Sequence, residues 1–76
     1  PQTMINVRLH PDTPDWKSNA VLQAKQVQIS ADLGERGRVL IRASGTEPLL
    51  RVMVEADDAA LAARYAQELA DAVLVG

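Results

Sequence analysis

The chain has 76 residues, 47% hydrophobic and 24% charged, with a net charge of −2 and no cysteine. Those figures describe one small globular domain, whose length lets it bury only about 60% of its unfolded surface. They exclude disulfides, thiolate metal sites and thiol catalysis. No apolar run approaches membrane-spanning length, and no basic-then-apolar leader opens the chain. The start at Pro1, running almost at once into an apolar stretch, gives the look of a piece from a longer protein, so residues 1–76 are read as one domain of a larger whole.

From Met4 to Leu9 the pattern alternates, with Ile5, Val7 and Leu9 on one side and Asn6, Arg8 and His10 on the other. That is the period of a half-buried strand. Pro11-Asp12-Thr13-Pro14-Asp15-Trp16 follows as a loop, marked by two prolines and two aspartates. Ser18 is the expected N-cap of a helix ending near Leu33, with Gly34 as its left-handed terminator and Ala20, Ala24, Val27 and Ala31 as a narrow inner stripe that Ile29 interrupts. Gly34-Glu35-Arg36-Gly37 is a turn. The nearly continuous apolar run in Arg38–Arg42 predicts a strand covered on both faces. In Leu49–Glu55, Leu50, Val52 and Val54 alternate with Arg51, Met53 and Glu55, so the two strands read as an antiparallel hairpin.

A final helix is expected from Asp58 to Val73, capped by Asp57, with Leu61, Tyr65, Leu69, Ala72 and Val73 facing inward. The order β-α-β-β-α gives an α+β fold: two helices on one face of a small, mostly antiparallel sheet.

The chemistry concentrates in Arg42-Ala43-Ser44-Gly45-Thr46-Glu47-Pro48, with Arg51 just beyond. A guanidinium fork, two hydroxyls and a glycine turn between two strands make an inventory for an anion, above all a phosphate. Ser-Gly-Thr alone is an ordinary turn. Arg42 at a strand end changes that, because a strand aims its side chain more firmly than a loop does. Gly45 allows the positive φ that a nest of N–H groups uses, and Pro48 limits relaxation of the loop. Arg36, Arg38, Arg42 and Arg51 outweigh Glu35 and Glu47 by +2, leaving −4 for the rest of the chain. A small basic focus on an acidic body suits one small anion and argues against a nucleic-acid track.

Other residues have plainer readings. His10 has no spaced carboxylate or nucleophile and reads as a surface or capping histidine. Trp16 covers the edge of a phenylalanine-free core. Asp12 with Asp15, and Asp57 with Asp58, do turn and cap duty and make no metal site. The apolar side of the final helix is needed by the sheet.

The segment Gly37-Arg38-Val39-Leu40-Ile41-Arg42-Ala43-Ser44-Gly45-Thr46-Glu47-Pro48-Leu49-Leu50-Arg51-Val52-Met53-Val54-Glu55 closely resembles the C-terminal domain of bacterial phosphoglucosamine mutases, a branch of the α-D-phosphohexomutase superfamily. The likeness extends to Ile5-Asn6-Val7-Arg8, to Leu33–Gly37 and to the final helix; residues 10–32 match only weakly. It implies the fourth domain of a cytoplasmic enzyme that interconverts glucosamine 6-phosphate and glucosamine 1-phosphate, towards UDP-N-acetylglucosamine and the cell wall. It further implies a fold similar to the TATA-binding protein.

By that resemblance, this domain binds the phosphate that is not being transferred. A phosphoserine and Mg²⁺ belong to other domains of the same enzyme, and no cofactor is expected in this chain. Its partners are then the phosphosugar, including the 1,6-bisphosphate intermediate, and the other domains. The carried-over ligands are Arg42, Ser44, Gly45 and Thr46. Glu47, Pro48 and Arg51 are read as loop support; for Arg51 a salt bridge, for example to Glu47 or Glu55, is preferred over direct ligation of the phosphate. Alternatives are the same domain in a phosphomannomutase or phosphoglucomutase, or a stand-alone anion-binding regulatory module.

Overall fold

A computed structural model describes residues 1–11 and 15–75. Strand β1 is Gln2–Arg8, helix α1 Ala20–Leu33, β2 Arg38–Ala43, β3 Leu49–Glu55 and α2 Ala59–Val75. Short 3-10 turns at Trp16–Ser18 and Gly34–Arg36 flank α1. The sheet order is β1-β3-β2 with both pairings antiparallel, so the expected α+β architecture and the β2–β3 hairpin are both observed. Asp12, Thr13 and Pro14 lie outside the described residues, and with them most of the expected loop and the Asp12–Asp15 pair.

The pleat divides the sheet. Val7, Leu50, Val52 and Val54 point into one core with Leu22, Ile29 and Leu33 of α1 and Ala62, Tyr65, Ala66, Leu69 and Val73 of α2. Helix α2 lies on β1 and β3, while α1 rests on α2 and the β2 side. Both helices therefore cover the same face. Full burial of a Val or Leu side chain contributes about 1.5–3 kcal/mol, and the central strand supplies three such side chains.

Three local expectations are corrected. The inner stripe of α1 is Leu22, Ile29 and Leu33, not the alanines: Ala20, Ala24 and Ala31 are exposed, and Val27 is 70% exposed. The spacing i, i+7, i+11 carries the largest apolar side chains inward, where each removes more surface from water than an alanine can. Strand β2 is an edge strand with one covered face, so Leu40 is 44% exposed. Gly34 does take a positive φ of 55°, but its ψ of −128° lies outside the left-handed helical region.

Both helix caps sit one residue beyond their expected places. Asn19 caps α1, its Oδ1 accepting the Leu22 N–H at 3.0 Å while its Nδ2 donates to the Ala72 carbonyl at 3.0 Å. The amide's separate acceptor and donor atoms let this one side chain tie both helices. Ser18 instead donates to the Asp15 carbonyl at 3.3 Å. At α2, Asp58 Oδ1 accepts the Ala60 N–H at 2.9 Å. The expected inner face of α2 holds: Tyr65, Leu69, Ala72 and Val73 are buried and Leu61 is half-buried. Trp16 packs against the core from outside, as expected.

Candidate phosphate-binding site

The hairpin builds the site. Arg42 and Arg51 are direct cross-strand partners, with Asn6 next in the row on β1. Because Leu50 and Val52 point into the core, Arg51 projects from the helix-free face, and its partner Arg42 with it. Side chains at directly opposed positions have Cβ atoms about 4.5–5.5 Å apart. Neither arginine has an ion-pair partner among the described residues. Two cations so placed repel, by about 0.2–1 kcal/mol in exposed pairs, and an anion between them reverses the sign.

The expected salt bridge from Arg51 to Glu47 or Glu55 is absent among the described residues. Glu55 pairs instead with Arg38, at 3.6 Å. Arg51 therefore lines the cavity beside Arg42. The alternation along β3 held this signal, since it places residue 51 outward; what the sequence hides is the cross-strand register.

The five residues Ser44–Pro48 close the hairpin. The Ser44 N–H donates to the Leu49 carbonyl at 2.9 Å, and the Leu49 N–H to the Glu47 carbonyl at 2.7 Å. The Pro48 carbonyl accepts the Leu9 N–H at 2.6 Å, tying the loop to the end of β1. Ser44 Oγ accepts N–H groups from Thr46 at 3.4 Å and Glu47 at 3.3 Å. A hydroxyl has two lone pairs and one proton. With both lone pairs facing the loop, the proton of Ser44 is left to donate to a ligand. The Glu47 amide thus joins the Thr46 amide in the turn, a contribution not expected from the sequence.

Gly45 does not use the positive φ expected of it; among described residues only Gly34 has one. A Cβ built on Gly45 meets no atom within 4 Å. What the glycine supplies is open approach to the backbone. Gly37 is the opposite case, since a Cβ there would lie 2.1 Å from the Glu55 carbonyl oxygen.

Arg42, Ala43, Ser44, Gly45, Thr46 and Arg51 line one open, polar cavity of about 430 Å³. The four expected ligands are therefore together, with Arg51 added. Glu47 and Pro48 stand outside its wall and shape the loop through their backbones. His10 lies elsewhere, in a groove between β1 and α2 with Gln67 and Asp71. No group of three or more metal-ligating side chains occurs among the described residues.

Residues 4–72 match the family model described as "Phosphoglucomutase/phosphomannomutase, C-terminal domain". The chain belongs to that family. It is 66% identical over 73 residues to the phosphoglucosamine mutase of Methylibium petroleiphilum, covering 96% of this chain and 16% of that protein. Against the phosphoglucosamine mutase of Paracidovorax citrulli it is 58% identical over 76 residues, covering 100% of this chain and 17% of that one.

Among solved structures, a serine-to-alanine variant of Aspergillus fumigatus N-acetylphosphoglucosamine mutase in complex with glucose 1,6-bisphosphate superposes with a TM-score of 0.77 at 30% identity, over 99% of this chain and 15% of that one. The same fungal enzyme in complex with GlcNAc-6P and magnesium gives a TM-score of 0.73 at 30% identity, over 96% and 16%. This phosphohexomutase C-terminal domain thus spans only 16–17% of the length of its curated relatives.

Proposed function

We propose that this domain is the phosphate-holding lid of a phosphoglucosamine mutase, gripping the phosphate of glucosamine 6-phosphate or glucosamine 1-phosphate that is not being transferred. The observation that carries the reading is the cross-strand pair Arg42–Arg51, without an ion-pair partner among the described residues and walling one cavity with Ser44, Gly45 and Thr46. Arg42 and Arg51 supply charge-assisted forks. Ser44 and Thr46 donate hydroxyl protons, and the open backbone at Gly45 lets the anion approach. Glu47, a carboxylate, stays off the phosphate, and with Pro48 it holds the loop.

The chemistry this allows is positional. Fixing the remote phosphate orients the sugar, and that binding energy lowers the barrier only if the grip tightens in the transition state, as when the domain closes over the cleft. A site that grips phosphate and makes few demands on the sugar accepts either end of a 1,6-bisphosphate, so the intermediate can turn over and present its other phosphate.

Bond making and breaking belong to the parts of the mutase outside this chain, where the phosphoserine and Mg²⁺ are placed, and the isolated domain is inactive. The role belongs to cytoplasmic amino-sugar metabolism feeding cell-wall synthesis. Identities of 58–66% to phosphoglucosamine mutases favour the glucosamine substrate over the mannose or glucose phosphates.

The test is Arg42→Ala in the full-length enzyme. Losing about 2–5 kcal/mol of transition-state stabilisation lowers kcat/KM by roughly 30- to 4,000-fold. An unchanged kcat/KM refutes the assignment.

A further inference from the structure

The helix-free face of the sheet carries a second feature beside the arginine pair. In register, Met4 lies opposite Met53, and Met53 opposite Leu40, one row along from Asn6–Arg51–Arg42. Met4 is 53% and Leu40 44% exposed, while Met53 between them is 7% exposed. On the far side of this apolar row Arg38 and Glu55 form their ion pair. Gln2, Met4, Leu40, Arg42, Arg51 and Met53 enclose a shallow hollow of about 170 Å³. Arg42 and Arg51 therefore wall both this hollow and the phosphate cavity.

We propose that the Met4–Met53–Leu40 row is a docking seat, on which an apolar segment from the rest of the mutase polypeptide rests when a sugar bisphosphate is held. The inference builds on the phosphate reading above. A ligand anchored on Arg42 and Arg51 extends away from the helix-free face, because the helices occupy the other. Its reacting end must meet groups this chain does not hold, and relatives carry most of their length outside it. Whatever brings those groups approaches this face, and the apolar row is the surface immediately beside the site.

Size selects the kind of contact. Stable association of separate proteins buries about 1,200–2,000 Å², far more than three side chains provide. A second copy of the chain is thus a poor occupant. A segment tethered in the same polypeptide meets the seat at high effective concentration, and so small a contact forms and breaks readily with each turnover.

These 76 residues hold no cysteine, so Leu40→Cys in the full-length mutase adds the one thiol of this domain, and peptide mass spectrometry separates it from any elsewhere in the polypeptide. Val27→Cys, on the outer side of α1, is the control. Maleimide labelling of each, read by peptide mass spectrometry, is compared with and without saturating glucose 1,6-bisphosphate. Binding of the same ligand to each variant, and to Arg42→Ala, is measured by calorimetry. The seat predicts that ligand slows labelling at position 40 by about tenfold or more, as for a closed state populated above nine-tenths, and leaves position 27 unchanged.

Equal labelling at position 40 with and without a ligand whose binding needs Arg42 overturns the seat while the phosphate reading stands. Ligand binding indifferent to Arg42→Ala overturns the phosphate reading and this inference with it. Protection that needs no ligand and grows with protein concentration assigns the face to a second copy and overturns the proposal.

Discussion

On the helix-covered side of the sheet, Leu50, Val52 and Val54 are fully buried among helix side chains. On the other side of the same strand, Arg51 stands exposed against Arg42, with no carboxylate paired to either among the described residues. One residue of register separates the two environments, because successive side chains of a strand point to opposite faces. The covered face gains stability from every group it holds. The open face forgoes some, leaving like charges opposed in a way that only an anion relieves. On the proposed reading, stability and recognition are divided across the thickness of one sheet, and each can be altered without the other.

The largest expected effect comes from breaking the covered face. Leu50→Ala removes a fully buried side chain and lowers unfolding stability by about 2–5 kcal/mol, a large part of the total for a chain this short. Chemical denaturation of the domain measures it, and protein that remains folded should bind phosphate normally.

The two glycines sharpen the contrast. Gly37→Ala drives a Cβ against the Glu55 carbonyl and should lower stability by about 1–3 kcal/mol through strain. Gly45→Ala meets open space, so the melting temperature should hold while KM of the full-length enzyme rises, because the new methyl group stands where the anion approaches. Equal thermal losses for both would contradict the division.

Asn19→Ala deletes a buried cap and its bond to α2, for about 0.5–2 kcal/mol, again read by denaturation and again without effect on phosphate binding. The smallest effect is the most telling. Arg51→Ala removes a like-charge opposition and should leave stability unchanged or raised by up to about 1 kcal/mol, while weakening phosphate binding measured by calorimetry. A clear loss of stability would mean that Arg51 has a structural partner.

Much of this division was legible in the sequence. The alternation Leu50–Arg51–Val52–Met53–Val54 assigns both faces of β3 without any structure. The Arg42–Pro48 motif gathers the residues that line the cavity within one hairpin, where turn length leaves little freedom in their placement. What the sequence obscured depends on partners remote in the chain. The inner stripe of α1 is hidden because alanine spacing fits a helix on any face, and only packing on α2 selects Leu22, Ile29 and Leu33. Asn19 outcompetes Ser18 as cap through a carbonyl 53 positions away. Glu47 and Glu55 are near Arg51 in sequence and suggest a carboxylate neighbour, yet the register gives Glu55 to Arg38 and Arg51 to Arg42.

The most direct test of the central claim is an NMR titration of the 76-residue chain with inorganic phosphate, following backbone amides and arginine Nε–H groups together. The account predicts saturable shifts confined to the amides of residues 44–47 and to the side chains of Arg42 and Arg51, with weak affinity that falls as salt rises. Shifts centred on the helices, or none at high phosphate, would contradict it.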